Sequence, residues 1–332
     1  MRKILLGVGA LVIVGGYFLI VSRFAVAPVI NKERVFIPEE KTEETVPSPV
    51  KILFAGDLML DRGVKYYIEK EGGGDYRFPF EKIRDYLISF EAVIPNLEGP
   101  VSDKGMRMGS IYSFRMDPEA LGAFSYANIR AVNVANNHAW DYGREAFEDT
   151  LLRLKENNVG YFGGGIDETE AYAPYVFEKD GIRVGLLGFT EFLEHAQAGN
   201  KKSGIAFTDT KKIKSAIREA KNQSFNALIV VFHFGEEYLP EPIERQIFLA
   251  HLAVDEGADL VVGHHPHIIE SSEMYKDRQI FYSLGNFVFD QYFSEETMTP
   301  GFLEVEISEQ GIASAVLRKG YSTPFYQVIS PK

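Results

Sequence analysis

Short apolar runs recur along the chain from residue 51 onward, and each is typical of a buried strand. The predicted strands are residues 51–55, 92–97, 131–135, 183–188, 227–232, 258–262, 279–284, 302–307 and 313–317. Between several of these runs, apolar residues recur at helical spacing, which predicts helices over 79–90, 144–157, 211–221 and 243–256. Strands that alternate with helices in this way indicate an α/β protein.

Side chains that can bind a metal ion follow five of these strands. They are Asp57, Glu98, the pair Asn137 and His138, His233, and the pair His265 and His267. Ligands of α/β proteins bind beyond the carboxyl ends of the strands, so we expect these side chains to lie together. Carboxylate, amide and imidazole groups in combination suit Mn²⁺, Zn²⁺ or iron better than Mg²⁺. The sequence therefore predicts a site for one or two divalent ions.

Each of these residues also has an ordinary structural explanation. Residues 263–267 contain three of the seven histidines and would equally fit a polar loop that faces water. Asp57 could serve in a turn, and Asn136 and Asn137 favour turn geometry. The coincidence of such residues at five strand ends favours the metal site over these alternatives.

The first residues of the chain have a different pattern. Two basic residues precede 18 uncharged, mostly apolar residues, 4–21, which as a helix of ~27 Å would cross a bilayer core. The flanking charges favour a cytoplasmic N-terminus. A cleaved signal peptide is the alternative, because residues 25–27 resemble a cleavage site, although Pro28 follows them. We predict a single-pass anchor in the cell membrane over residues 1–22, and either alternative places the folded domain outside the cytoplasm.

Composition sets further limits on the fold and its partners. Four prolines interrupt residues 28–49 and four glutamates lie within 39–44, so residues 23–49 are predicted to be a linker and residues 50–332 the folded domain. The net charge of −12 disfavours a general nucleic-acid-binding surface. The absence of cysteine excludes disulfides, thiolate metal sites and cysteine nucleophiles.

Six segments resemble, in this order, the CapA/PgsA type of poly-γ-glutamate capsule biosynthesis protein. They are residues 56–57, 96–99, 136–138, 233–238, 257–259 with 263–267, and 283–287. The resemblance covers about residues 50 to 292 and implies membership of the calcineurin-like metallophosphoesterase superfamily. It therefore implies a four-layer αββα sandwich, in which two mixed sheets pack together with helices outside.

The resemblance also implies roles for the candidate residues. The metal ligands would be Asp57, Glu98 (in place of a bridging aspartate), Asn137, His233, His265 and His267. His138 would be the acid or phosphate-contacting residue, and His264 is less favoured as a ligand. The superfamily has an Asp-x-His on its first strand, whereas this chain has Met59 in the histidine position. A thioether is a poor ligand for such cations, so one ion lacks a donor unless Asp61 or water replaces it.

Two functions are compatible with these observations. The first is a membrane-anchored, extracytoplasmic component of capsule or poly-γ-glutamate biosynthesis or export. It would bind an anionic polymer and work with a membrane synthase or export complex. The alternative is a metal-dependent hydrolase, a phosphoesterase or an amide-bond hydrolase, that acts on a cell-envelope substrate. In that case His138 would protonate the leaving group, and Arg62 or Arg115 would hold an anionic substrate.

Overall fold

The computed structural model describes residues 48–331. The strands are β1 (Val50–Leu58), β2 (Ala92–Leu97), β3 (Ala131–Asn133), β4 (Gly160–Phe162), β5 (Gly164–Gly165), β6 (Tyr175–Lys179), β7 (Ile182–Thr190), β8 (Gly204–Ile205), β9 (Ala227–His233), β10 (Leu260–His264), β11 (Ser272–Tyr275), β12 (Arg278–Phe281), β13 (Asn286–Val288), β14 (Gly301–Ser308), β15 (Gly311–Lys319), β16 (Tyr321–Ser322) and β17 (Val328–Ile329). The α-helices are α1 (Arg62–Lys70), α2 (Arg84–Leu87), α3 (Gly122–Tyr126), α4 (Gly143–Glu156), α5 (Glu168–Ala171), α6 (Thr210–Lys221) and α7 (Glu244–Glu256). Short 3₁₀ helices cover Phe78–Phe80, Pro118–Leu121 and Glu194–Ala196.

The predicted anchor over residues 1–22 lies outside the described residues, as does nearly all of the predicted linker. Within residues 48–331, no helix combines the length and the apolar character that a membrane span needs.

Two mixed sheets form the centre of the domain. The first sheet has the strand order β15-β14-β1-β2-β3-β4, and β13 also pairs with β1. Its strands β1 to β4 are parallel, whereas β14 and β15 are antiparallel to their neighbours. The second sheet has the order β11-β12-β10-β9-β7-β6, with β7, β9, β10 and β12 parallel. The parallel strands of each sheet therefore deliver their carboxyl ends to one edge.

The alternation of side chains along each strand builds the layers. On β1, Ile52 and Phe54 pack into a core that also contains Val231 of β9 and Val262 of β10, so the two sheets pack face to face. The opposite face of the first sheet packs against α1 and α4. The opposite face of the second sheet packs against α6 and α7. The predicted α/β sandwich of two mixed sheets with helices outside is confirmed.

Two predicted elements differ from the structure. The predicted helix over residues 79–90 is wrong, because the segment folds as a 3₁₀ turn followed by the single turn of α2. The apolar residues of this segment nevertheless face the core, since Phe80, Ile83 and Leu87 are all buried. The predicted strand over 279–284 ends early, because β12 stops at Phe281 and the chain then leaves the second sheet to enter β13 of the first. We call the connecting residues 282–285 the crossing segment.

The crossing segment passes very close to one strand of each sheet. A Cβ atom on Gly56 of β1 would lie 1.9 Å from the carbonyl oxygen of Gly285, and one on Gly263 of β10 would lie 1.9 Å from that of Tyr282. Only glycine allows backbones to approach so closely. These two glycines therefore let the crossing segment fit between the strands that carry the candidate site.

Candidate metal centre

Strand register places a row of polar residues at the carboxyl edge of the first sheet. Asp57 of β1 is in register with Asn96 of β2 and with Asn286 of β13, and Asn96 is in register with Asn133 of β3. All four side chains are buried. Buried polar groups need hydrogen-bond partners, and these residues supply them to one another and to the neighbouring histidines.

The second sheet contributes a matching row. His233 at the end of β9 is in register with His264 of β10 and with Thr190 of β7. The strand prediction ended β10 at residue 262, but β10 continues through His264. The chain then turns, and His265 and His267 both have positive φ angles, 104° and 59°. Non-glycine residues seldom adopt this geometry, which recurs where function requires a particular side-chain placement.

Asp57 contacts polar residues from both sheets. Its Oδ1 accepts a hydrogen bond from Asn96 Nδ2 at 2.8 Å and lies 3.5 Å from His264 Nδ1. Its Oδ2 lies 3.4 Å from His267 Nδ1 and accepts from the backbone amide of His265 at 3.3 Å. Burial alone would raise the pKa of Asp57, but the contact with His267 and the nearby imidazoles outweigh it and lower the pKa below its ordinary range. The carboxylate is therefore ionised and ready to bind a cation.

Glu98 follows β2 and is completely buried. Burial, and then the negative charge of Asp57, raise the pKa of Glu98 well above its usual value. Its Oε1 lies 3.8 Å from the Nε2 atoms of both His138 and His267. Within residues 48–331 this oxygen has no hydrogen-bond partner. An orphaned buried carboxylate oxygen is costly, and a bound cation would satisfy it.

His138 is held by a carboxylate that the sequence analysis did not single out. Its Nδ1 hydrogen-bonds Asp141 Oδ2 at 2.7 Å, and the backbone amide of Phe114 donates to the same oxygen at 2.8 Å. The Phe114 ring covers the imidazole with 3.9 Å between centroids. These contacts fix the ring with its Nε2 towards Glu98. The i, i+3 spacing of His138 and Asp141 was the available sequence signal.

His267 is oriented through an amide. Asn286 uses its Nδ2 to donate to the carbonyl oxygen of Thr297 and to Gln291, so its Oδ1 faces His267 Nδ1 at 2.9 Å. This arrangement makes Nδ1 of His267 the hydrogen-bond donor and leaves the lone pair on Nε2, on the side of Glu98. A metal-binding histidine is commonly held in this way through its other ring nitrogen.

Two further imidazoles of the cluster, those of His233 and His265, are neutral in the fold. Burial, and then the neighbouring His265, lower the pKa of His233 well below its usual value. Burial, and then His267, lower the pKa of His265 to about 3. The Nε2 atom of His233 faces Asn137 Oδ1 at 2.9 Å. Neutral imidazoles are the form that binds metal ions.

Two groups of donors could each hold a cation. One is Asp57, Glu98 and His233, which are all buried, and the other is Glu237, His265 and His267. Within each group the candidate ligand atoms lie within 4.8 Å of one another. Among the described residues, Glu98 Oε1 and His265 Nδ1 are buried without a hydrogen-bond partner. Carboxylates and imidazoles with free buried donor atoms fit a divalent ion of the transition series.

The structure thus gathers all seven predicted metal and catalytic residues in one place. They are Asp57, Glu98, Asn137, His138, His233, His265 and His267. Their individual roles stay predictions. The sequence analysis missed Glu237, Asn96 and Asn286. Asn96 could have been found, because it lies two positions before Glu98 in an extended segment, and alternate residues of such a segment share a face.

The predicted substrate-binding arginines lie at the edge of this cluster. Arg62 pairs with Asp290 through its Nε at 3.1 Å, and its guanidinium lies 5.2 Å from the centroid of Phe114, the ring that covers His138. Arg115 places its guanidinium 4.2 Å from the ring centroid of Tyr142. Neither arginine forms an ion pair with the two donor groups in the part of the chain that the structure describes. Their role in substrate binding stays a prediction.

Met59 and Asp61 take structural positions. Met59 is fully buried in the core between the first sheet and its helices, and its Sδ accepts the backbone amide of Asp61. The Asp61 carboxylate accepts the backbone amide of Arg115 at 2.9 Å. Across residues 48–331, Asp61 belongs to neither donor group. The structure therefore gives no support to Asp61 as the replacement for the missing histidine.

Comparison with known proteins identifies the family. Residues 51–291 match the family described as bacterial capsule synthesis protein PGA_cap. The chain belongs to this family. A capsule biosynthesis protein CapA of Bacillus anthracis is 34% identical over 303 residues, which cover 87% of this chain and 68% of that protein. A PGA biosynthesis protein CapA of Bacillus subtilis is 34% identical over 242 residues, which cover 72% of this chain and 63% of that protein.

A solved structure shares the fold of this PGA_cap chain. A hypothetical protein from Thermus thermophilus aligns over 81% of this chain and 98% of its own, with a TM-score of 0.52 and 14% identity. The low identity limits this likeness to the fold. The family membership and the donor groups are therefore the two facts from which a function must be argued.

Proposed function

We propose that this protein takes part in the synthesis or export of a capsule polymer such as poly-γ-glutamate, and that it does so with a metallophosphoesterase-like metal centre. The observation that carries the proposal is the buried set of carboxylates and imidazoles in a chain of the capsule synthesis family. The ions would be Mn²⁺, Zn²⁺ or iron, one or two of them, because the donors mix oxygen with nitrogen.

One group of donors would hold the first ion. Asp57, Glu98 and His233 would hold one ion, with Asn137 Oδ1 beside His233 as a further donor. When bound, a divalent ion supplies Lewis-acid activation of water and of a phosphoryl or carbonyl group. It also gives carboxylates of an anionic polymer a positive group to bind.

The negative charge of the chain allows the proposed role of the metal ion in polymer binding to be tested. At −12 the protein should repel a polyanion, so binding should depend on the metal. We expect the full-length protein in detergent to bind poly-γ-glutamate with Mn²⁺ and to lose that binding after chelation with EDTA. Fluorescence anisotropy of labelled polymer measures this, with neutral dextran as the control ligand. Binding that is absent, or that is equal with and without metal, would contradict the proposal.

One observation favours a hydrolase as the second candidate. His138 has its Nδ1 fixed by Asp141 and its Nε2 directed towards Glu98, as a general acid that protonates a leaving group would require. The substrate would be a phosphoester or an amide bond in the cell envelope. The Phe114 ring contacts both Arg62 and His138, and Arg62 would hold the anionic part of that substrate.

His138→Ala is expected to lower the turnover of a phosphodiester such as bis(p-nitrophenyl) phosphate in Mn²⁺ by about 10²–10⁴-fold, the usual contribution of a general acid. The metal content, measured by elemental analysis, should stay at the wild-type level. His195→Ala is the matched control, because His195 is exposed and outside the cluster. If the wild type shows no turnover, the hydrolase function fails and the polymer-binding function stands alone. If His138→Ala retains the wild-type turnover, His138 is not the general acid.

We further propose that residues 1–22 anchor the protein in the cell membrane as a single span, with the N-terminus in the cytoplasm and the domain outside. The charge pattern of that segment supports this placement. There the domain would meet the polymer as it leaves a membrane synthase or export complex, which is the partner that we propose. The net negative charge argues against nucleic acid as a partner.

A further inference from the structure

We propose that Glu237 is a metal ligand of this centre and holds a cation together with His265 and His267. This inference rests on the proposed metal centre and names a residue that completes it. Glu237 lies on the loop after β9 and is exposed, whereas both histidines are buried. Glu237 therefore forms the open side of the centre, where a polymer or another substrate would approach.

The geometry of these three side chains suits a single cation. A carboxylate oxygen of Glu237 and one ring nitrogen from each histidine lie within 4.8 Å of one another. Three donors at this separation can close on one ion with small side-chain adjustments, since metal–ligand bonds are about 2.0–2.2 Å long. His265 offers a buried Nδ1 that has no hydrogen-bond partner within residues 48–331. His267 offers Nε2, because its Nδ1 is used by Asn286.

Backbone hydrogen bonds hold the loop that contains Glu237 in this place. The amide of Phe234 donates to the carbonyl of His264 at 3.1 Å, and the amide of Tyr238 donates to that of Pro266 at 2.9 Å. These two bonds tie the loop that contains Glu237 to the turn that contains His265 and His267. An exposed glutamate on a free loop would have no such constraint. The loop is thus built to keep this carboxylate beside the two imidazoles.

Charge also favours a cation here. Four carboxyl groups lie around this centre, those of Asp57, Glu98, Asp141 and Glu237. Among the described residues, no lysine or arginine forms an ion pair with any of them, whereas His138, His264 and His267 have ring nitrogens within 3.8 Å of three of the four. Like charges gathered without basic partners repel one another. Divalent cations would relieve that repulsion.

The number of donors also favours Glu237 as a ligand. Met59 stands where the resemblance leads us to expect a histidine, and its sulfur is buried in the apolar core. Without Glu237 the second donor group would consist of two imidazoles only. The carboxylate of Glu237 is a hard oxygen donor and raises the number of protein ligands in this group to three. Three protein ligands are typical of a catalytic zinc site with an open position. Glu237 thus supplies a donor that the first strand lacks.

Glu237→Gln in the full-length protein tests this inference, because it keeps the shape of the side chain and removes its charge. We expect the wild type to bind two Mn²⁺ ions in equilibrium dialysis with elemental analysis. In Glu237→Gln one ion should remain, while the Kd of the other, measured by titration calorimetry, rises at least about tenfold. Glu236→Gln is the control, since Glu236 is the exposed neighbour outside both donor groups, and it should bind like the wild type.

The outcomes separate this inference from the proposed function. If Glu237→Gln binds Mn²⁺ with the stoichiometry and affinity of the wild type, Glu237 is not a ligand, although the metal centre stands. If Glu236→Gln and Glu237→Gln weaken binding equally, the effect is one of surface charge and the inference fails. If the wild type binds no metal ion, both the metal centre and the role of Glu237 are overturned.

Discussion

Asp57→Asn is expected to lower the affinity for Mn²⁺ by about 100-fold or more. The substitution keeps the size of the side chain and the hydrogen bond that Asn96 can make, but it removes a carboxylate that contacts both His264 and His267. Loss of a group that merely supports a ligand already costs about 10–100-fold in affinity, so loss of a ligand should lie at the upper end or beyond. Titration calorimetry of the metal-free full-length protein measures the change.

Asp180→Asn is the matched control for this experiment. Asp180 is an exposed residue in the turn between β6 and β7, remote in sequence from every predicted ligand, and its only ion pair within the described residues is with the adjacent Lys179. The control should leave the affinity for Mn²⁺ within about twofold of the wild type, as expected for a screened surface charge. An Asp57→Asn protein that binds Mn²⁺ as tightly as this control would remove Asp57 from the metal centre.

Gly263→Ala is expected to cost at least about 3 kcal/mol in the free energy of unfolding. The new methyl group would lie 1.9 Å from the carbonyl oxygen of Tyr282 and 2.7 Å from Cε1 of Phe234. The first neighbour is backbone and cannot move aside without displacing the crossing segment. Because Gly263 directly precedes the histidines, we also expect the affinity for metal ions to fall. Denaturant unfolding followed through the fluorescence of the single tryptophan, Trp140, measures the stability.

Gly122→Ala controls for the change from glycine to alanine itself. Gly122 begins α3 with a φ of −60°, is exposed, and its new methyl group would meet no atom within 4 Å in the described part of the chain. Alanine there should be neutral or should stabilise the protein by up to about 1 kcal/mol, because it restricts the unfolded chain. If Gly263→Ala were as stable as Gly122→Ala, the close approach of the crossing segment would have no energetic importance.

The strands and the main members of the site were predictable from the sequence for a physical reason. Buried parallel strands are nearly continuous apolar runs, so a polar residue at the end of such a run is conspicuous. Asp57, His233 and His265 were visible in this way. Parallel strands also share one carboxyl edge, so their ends could be expected to meet before any coordinates were known.

The parts that were not predicted depend on turns and on contacts between distant segments. Glu237 is brought to His267 by a hydrogen bond between two loops, and no periodic pattern in the sequence records such a bond. The placement of Asp141 was not predicted, because the backbone amide of Phe114 that donates to its carboxylate lies 27 positions earlier in the chain. The helix predicted over 79–90 failed because apolar spacing identifies a buried face but does not choose between one helix and two short turns.

The crossing segment also determines when the metal centre can exist during folding. Asp57 belongs to the first sheet and His265 follows the second, 208 positions later in the chain. The amide of Asp57 is bonded to the carbonyl of Gly285, and the amide of Leu284 to that of Gly263, so residues 282–285 hold both sheets at once. The donor group of Asp57, Glu98 and His233 takes its ligands from both sheets. An ion that binds ligands from both would therefore select the docked pair of sheets from the ensemble of partly folded chains and would stabilise it by mass action.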